Sequence, residues 1–202
     1  NKLARGEAPS YVRPFLSGAS LVALPKNNGG LRPIAVGESL RRLVGKCLLD
    51  SMGSDVTDRL EPHQVGVGTR GGCEAIVHCA RQWMCRHQGD RERLLLKIDM
   101  ENAFNCVDRD AMLHAVRSTF PYLAPWVDST YGEQSGLWMD SHRIDSQRGV
   151  QQGDPLGPLL FSLALQVAIE RVQARADFES PGDLDFMVFY LDDGTLAGPG
   201  DA

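Results

Sequence analysis

No long hydrophobic run interrupts these 202 residues. The longest apolar stretch, Leu156 to Ile169, is broken by Gly157, Pro158, Ser162 and Gln166 and is too short to cross a bilayer. No membrane partner is therefore expected. The five cysteines include no C-x-x-C pair, and their odd number argues against a disulfide framework. Cys73, Cys79 and Cys85 step by six residues along a predicted helix, a rotation of about 120° each time, so they cannot converge on zinc with His78 and His87. The glycine-rich segment Gly66 to Gly72 lacks both the Walker lysine and the dinucleotide-binding spacing. Internal repeats and low-complexity segments are absent too. Asn1 is not a methionine and opens no charged leader or apolar signal core, which reads as a piece of a longer polypeptide and leaves localisation open.

What is present suits one domain or two small subdomains, with 43% hydrophobic and 23% charged residues. The net charge of −5 hides an asymmetry: residues 1–98 carry 15 Lys and Arg against 9 Asp and Glu, residues 99–202 only 6 against 17. A basic half joined to an acidic half suggests cations for phosphates and carboxylates for metal, although both halves could also be plain solvated surface. A hairpin is predicted with Leu21–Leu24 and Leu31–Ile34 as its arms and Asn27–Gly30 as its turn, carrying Lys26 and Arg32 near the tip. Helices are predicted over 39–60 and 72–86, the first with Leu40, Leu43, Val44, Cys47 and Leu48 as its apolar stripe and Arg41, Arg42 and Lys46 off it. Leu94–Ile98 reads as a strand ending at Asp99, and Asp108 as the N-cap of a helix over Ala111–Phe120. A short helix over Tyr122–Tyr131, a hairpin pairing Leu137–Met139 with Arg143–Asp145, and a loop over Gly149–Pro155 come next. Pro158 then opens a long apolar helix to about Ala176. The switching of periods gives an α+β architecture.

The chemistry concentrates at the end of the last predicted strand, Leu184–Tyr190. There an apolar run delivers Asp192 and Asp193 together into a turn before the return Thr195–Ala197. Crowding two like charges is unfavourable without a compensating cation, which invites a metal ion. Asp193-Gly194 is also a strong hairpin-turn signal, so turn chemistry alone is an alternative. Asp99, likewise at a strand end, would join these two if the strands were neighbours in one sheet. Such a tri-carboxylate cluster suits magnesium, which takes few protein carboxylates and keeps positions for water and substrate phosphates. For Asp99 alone, a helix N-cap is the competing reading.

Three segments, Lys97-Ile98-Asp99-Met100-Glu101-Asn102-Ala103-Phe104, Gly149-Val150-Gln151-Gln152-Gly153-Asp154-Pro155-Leu156-Gly157-Pro158 and Tyr190-Leu191-Asp192-Asp193, occur in an order and spacing that resembles reverse transcriptases. They look like the A, B and C motifs of the polymerase palm, in a style closest to non-LTR retrotransposon and group II intron-like enzymes. Ala23-Leu24-Pro25-Lys26 and Leu31-Arg32-Pro33-Ile34-Ala35 look like fingers segments of the same family. The resemblance implies right-hand fingers and palm subdomains, fingers-like over 1–92 and palm-like over 93–202, the palm a small antiparallel sheet backed by helices. It implies an intracellular RNA-directed DNA polymerase core working on an RNA template, a DNA primer and dNTPs. The implied metal ligands are Asp99, Asp192, Asp193 and the main-chain carbonyl of Met100, holding two magnesium ions, with manganese as an alternative. Lys26 and Arg32 would hold the triphosphate, Phe104 would act as the sugar gate against a 2′-OH, and Gln152 and Gly153 would lie against the nucleotide. Asn105 stands where many relatives carry aspartate. The thumb, which the family places beyond the carboxylate hairpin, is absent from this sequence, as are further domains of a longer polyprotein. A non-catalytic nucleic-acid-binding relic of a retroelement and an RNA-directed RNA polymerase are the alternatives.

Overall fold

The structure, a computed structural model, describes residues 2–27, 29–179 and 184–200. It is α+β and divides into two compact units, each assembled from two stretches of chain. These units are discontinuous in sequence, whereas a 1–92 and 93–202 division is continuous.

The first unit contains residues 1–52 and 102–164. Strands β1 (Ala19–Pro25) and β2 (Leu31–Gly37) form the predicted hairpin, in register from Ala19 opposite Gly37 to Pro25 opposite Leu31. Its turn closes through Gly29, at φ 83°, whose N–H donates to the Lys26 carbonyl; Asn28 lies outside the described residues. Strands β4 (Ser135–Met139) and β5 (His142–Ser146) make a second hairpin, which joins the first through a parallel pairing of β1 with β4. The sheet order is thus β2-β1-β4-β5. Helix α1 (Arg13–Ser17) precedes the sheet, and helix α2 (Ser39–Met52) follows β2.

Two expectations for residues 39–60 are corrected here. One helix was expected, but α2 stops at Met52 and α3 (Asp55–Leu60) restarts after Gly53, whose φ of 52° breaks the right-handed run. The buried face of α2 is also not its apolar stripe. Leu40 and Leu43 are 56% and 58% exposed, while Arg41, Gly45 and Met52 are buried. Gly45 faces Pro155 and Leu156, and a Cβ there would meet them at 3.7 Å, an ordinary van der Waals contact. Helices α5 (Ala103–Cys106), α6 (Arg109–Thr119) and α7 (Ala124–Tyr131) complete this unit with the first turns of α8 (Gly157–Glu179). Asp108 caps α6 as predicted, its carboxylate accepting from the Ala111 N–H at 2.9 Å. Met112, Val116, Leu123, Val127, Leu159 and Leu160 form its apolar interior, all fully buried.

The second unit contains residues 53–101 and 165–202. Helices α3 and α4 (Gly72–Arg86) belong to it, together with an antiparallel sheet of order β3-β7-β6. The strands are β3 (Arg93–Asp99), β6 (Phe186–Tyr190) and β7 (Asp193–Pro199). One sheet face packs Met187, Phe189, Ile98 and Leu196 against Ile169 and Leu165 of α8, with Met100 at the edge of the cluster. Alternation along each strand then sends Asp99, Asp193 and Tyr190 to the opposite face. Among the described residues, no helix is long and apolar enough to cross a membrane.

Candidate active site

The carboxylates stand at one end of the three-stranded sheet, where β3 stops and the β6–β7 hairpin turns. Asp99 is the last residue of β3 and lies directly opposite Asp193, the first of β7, which in turn lies opposite Tyr190. Directly opposed cross-strand residues share a face, and two like charges in that position repel. Both carboxylates are exposed, and among the described residues neither is in a hydrogen bond or ion pair with a basic side chain. The N-cap alternative for Asp99 does not hold, because Asn102 at φ 51° occupies the cap position of α5. Asp99 therefore does not cap α5.

The turn itself is Leu191-Asp192, not Asp193-Gly194. Leu191 adopts a left-handed conformation, φ 57°, which bulky residues avoid. Gly194 is already within the strand, and its requirement is space: a Cβ there would meet the Phe189 ring at 2.5 Å. Gly194→Ala is expected to lower unfolding stability by about 1–3 kcal/mol through overpacking against Phe189, measured as a shift in the denaturant midpoint. The turn is held from the side by the segment His63–Gly66. Phe189 donates its N–H to the His63 carbonyl at 2.6 Å, Val65 donates to the Phe189 carbonyl at 2.9 Å, and the Gln64 side chain bonds the Leu191 backbone.

A second set of residues gathers within the first unit around the loop 149–155. The Ala35 N–H of β2 donates to the Gln152 carbonyl at 2.6 Å, which stitches the loop to the strand that also carries Arg32. Gly153 makes this approach possible: its φ is 123°, and a Cβ would lie 2.4 Å from the Ala35 carbonyl oxygen. The Val150 N–H donates to the Phe104 carbonyl at 2.8 Å, and the Phe104 ring stacks on Phe161 with centroids 4.6 Å apart. The Gln152 side chain is half-buried and has no hydrogen bond among the described residues. Lys26 and Arg32 are exposed and unpaired on the same terms.

Beneath this loop lies a buried polar cluster. Arg41, 2% exposed, donates to the Ser17 carbonyl at 2.8 Å, to Gln151 Oε1 at 2.7 Å and to the Asp154 carboxylate at 2.6 Å. The Tyr131 hydroxyl also donates to Asp154, at 2.8 Å, and the guanidinium groups of Arg41 and Arg109 lie 5.1 and 5.2 Å from the centre of its ring. Burial, seconded by the Asp154 charge, pushes the Tyr131 hydroxyl far above its ordinary range, so it remains a donor. Arg109 closes the other end of the loop by donating to the carbonyls of Gly149 and Ser146.

Residues 24–201 match the family described as reverse transcriptase (RNA-dependent DNA polymerase). The chain belongs to the reverse transcriptase family. It is 30% identical over 195 residues to the 132 kDa protein of the retrotransposable element SLACS from Trypanosoma brucei gambiense, covering 91% of this chain and 15% of that protein. The polyprotein of a type-1 retrotransposable element R2 from Popillia japonica is 26% identical over 157 residues, 74% of this chain and 22% of that protein. The chain therefore spans less than a quarter of either relative. Telomerase from Candida albicans, solved in complex with a fragment of telomeric RNA, superposes with a TM-score of 0.61 at 14% identity, covering 95% of this chain and 38% of that one. Apo telomerase from Candida tropicalis gives 0.59 at 13% identity, with 92% and 44% covered. The fold is thus that of polymerases of the reverse transcriptase kind, its small antiparallel sheet backed by helices.

In this reverse transcriptase domain the motif residues fall into two sets. Asp99, Met100, Asp192 and Asp193 belong to the second unit; Lys26, Arg32, Phe104, Gln152 and Gly153 belong to the first. Among the described residues, no three His, Cys, Asp or Glu side chains converge tightly enough to hold an ion by themselves. The tri-carboxylate cluster expected from the sequence is therefore reduced to the Asp99–Asp193 register pair with Asp192 beside it in the turn. This donor set still fits magnesium, an ion content with one or two protein carboxylates and oxygen ligands from water and phosphate. Gln64 orders the carboxylate turn of the second unit, Arg41 and Tyr131 order the loop 149–155 of the first, and none of the three has a motif signal of its own.

Proposed function

We propose that this chain is the fingers and palm core of an RNA-directed DNA polymerase that adds dNTPs to a primer 3′-OH on an RNA template, residues 1–92 serving as fingers and 93–202 as palm. The observation that carries the reading is the opposition of Asp99 and Asp193 beside Asp192, a like-charge arrangement with no compensating cation among the described residues. Asp99, Asp192, Asp193 and the Met100 carbonyl would hold divalent ions, magnesium or manganese. Bound there, the ions supply activation of the attacking hydroxyl and charge stabilisation on the leaving pyrophosphate. Lys26 and Arg32 bind the triphosphate, the arginine as a planar fork suited to phosphate oxygens. Gln152 offers an unengaged amide to sugar or phosphate, while Gly153 lets the backbone lie close to the base pair. Phe104, backed by Phe161, presents a wall against a 2′-OH. Template sequence is read by base pairing, and phosphate contacts supply affinity. The chain works inside the cell as part of a longer retrotransposon polyprotein, a reading supported by the R2 relative, a polyprotein of which this chain spans 22%.

Primer extension on primed poly(rA) tests the reading directly. Magnesium-dependent incorporation of dTTP with little UTP is expected, and equal use of UTP would favour an RNA-directed RNA polymerase. Binding of primed template with no extension would instead support the non-catalytic relic. Phe104→Ala is expected to raise UTP incorporation relative to dTTP by about 10-fold or more, the scale of one steric group in a pocket. Unchanged discrimination in that variant would remove Phe104 from the sugar-gate role.

A further inference from the structure

Gln64 is 0% exposed, and its side-chain amide is committed entirely to backbone. Its Nε2 donates to the Leu191 carbonyl at 3.0 Å, and its Oε1 accepts from the N–H groups of Leu191 at 2.8 Å and Gly66 at 3.1 Å. Engaging both polar groups of one residue is what a neighbouring strand does in a ladder. Indeed Gln64 bridges in parallel to Phe189 two residues earlier, so its side chain extends the pairing past the end of β6 and onto the turn. The residue it grips is the one that needs gripping. Leu191 sits at φ 57°, a conformation that a bulky side chain keeps only when its surroundings over-determine it. Asp192 and Asp193 follow directly, so the Leu191 dihedrals set where both carboxylates point.

We propose that Gln64 is a positioning residue whose amide clasp locks Leu191 in the left-handed conformation and thereby aims Asp192 and Asp193 at their cations. It touches neither nucleotide nor ion and acts only through the turn. The inference rests on reading these carboxylates as the ion site. A buried glutamine that merely satisfies its own polar atoms would stabilise the fold without affecting ion affinity, and that difference is measurable.

The test uses the full-length protein with Gln64→Leu and Gln64→Glu, each alone and combined with Leu191→Asn. Leucine keeps the bulk but strips all three bonds; glutamate keeps the two it accepts and loses the one it donates. Mn2+ affinity, read by electron paramagnetic resonance with the metal alone, and kcat for dTTP on primed poly(rA) are both expected to fall in Gln64→Leu by about 10- to 100-fold, the range seen when a partner that orients a metal ligand is removed. KM for dTTP is expected to hold, because no nucleotide contact is lost. Asparagine tolerates the left-handed region, so Leu191→Asn should restore much of the Mn2+ affinity in the Gln64→Leu background. A folded Gln64→Leu protein with wild-type Mn2+ affinity and kcat would overturn the proposal, whatever its thermal midpoint. Should Gln64→Leu not fold, Gln64→Glu decides by the same readouts: a smaller loss supports the clasp, and wild-type values overturn it. Asp192→Ala, run alongside, separates the two levels. Extension that survives Asp192→Ala overturns the carboxylate site itself, whereas extension lost there but full in folded Gln64 variants overturns only the clasp.

Discussion

Asp192→Ala is expected to lower magnesium-dependent primer extension by about three orders of magnitude, the rate equivalent of losing roughly 4 kcal/mol of transition-state charge stabilisation. Asp99→Asn should do the same while preserving side-chain volume. The two substitutions carry a second, opposite expectation. Asp99 stands directly across from Asp193, and a like-charge cross-strand pair is destabilising by about 0.2–1 kcal/mol in the absence of a cation. Neutralising Asp99 should therefore leave the metal-free protein as stable as before, or slightly more so, as polymerisation collapses. Thermal unfolding in EDTA, set beside extension rates in magnesium, reads both quantities on the same samples. Extension persisting in Asp192→Ala would sink the assigned site, and a large stability loss in Asp99→Asn would show that the carboxylate has a structural task after all. The combination of lost rate and retained stability is the mark of a group held for chemistry at the expense of the fold.

The parts of this fold legible in the sequence are those whose cause is local. The β1–β2 hairpin was readable because Asn27–Gly30 separates two apolar runs, and Asp108 because a cap needs only its own helix. Asp99 and the Asp192-Asp193 turn were legible as strand ends, and the resemblance of three short segments tied them together. What escaped were effects set across long sequence separations. Gln64 lies just before the glycine-rich segment 66–72 and belongs to no motif, while its actual partner Leu191 is 127 residues away. Arg41 was placed off the apolar stripe of its helix, where a solvated side chain is the ordinary outcome. That rule fails here because Asp154, 113 residues distant, together with Gln151 and the Ser17 carbonyl, satisfies the guanidinium internally. Leu40 and Leu43, the stripe itself, remain outside. Periodicity reports which residues are apolar; it cannot report which polar residues will find partners. The alternative turn at Asp193-Gly194 lies two residues past the actual one at Leu191-Asp192 for a related reason: Gly194 signalled a bend, but its missing side chain makes room for the Phe189 ring instead.

Arg41→Met is expected to destabilise the protein by about 3–5 kcal/mol, because it leaves Asp154 as a buried charge without its cation. For a chain of this size that corresponds to a fall in thermal midpoint of roughly 6–20 °C. The Arg41–Asp154 pair is closed in on both sides, with side-chain exposures of 2% and 3%, so solvent can do little to rescue the survivor. Asp154→Asn should also destabilise, by leaving Arg41 charged and the Tyr131 hydroxyl short of its carboxylate partner. The triple variant Arg41→Met, Asp154→Leu, Tyr131→Phe removes charge and donor together and should recover much of the loss, since replacing a whole buried ionic group by apolar residues of similar volume is often nearly neutral. Recovery of stability need not bring recovery of function. Arg41 and Asp154 also fix the loop that presents Gln152 and Gly153, so the triple variant is expected to fold yet show a raised KM for dTTP. Arg41→Met within about 1 kcal/mol of wild type would show that the cluster is relieved by water rather than by its own partners. A triple variant with both stability and KM restored would mean that loop 149–155 is held by its backbone contacts to β2 alone.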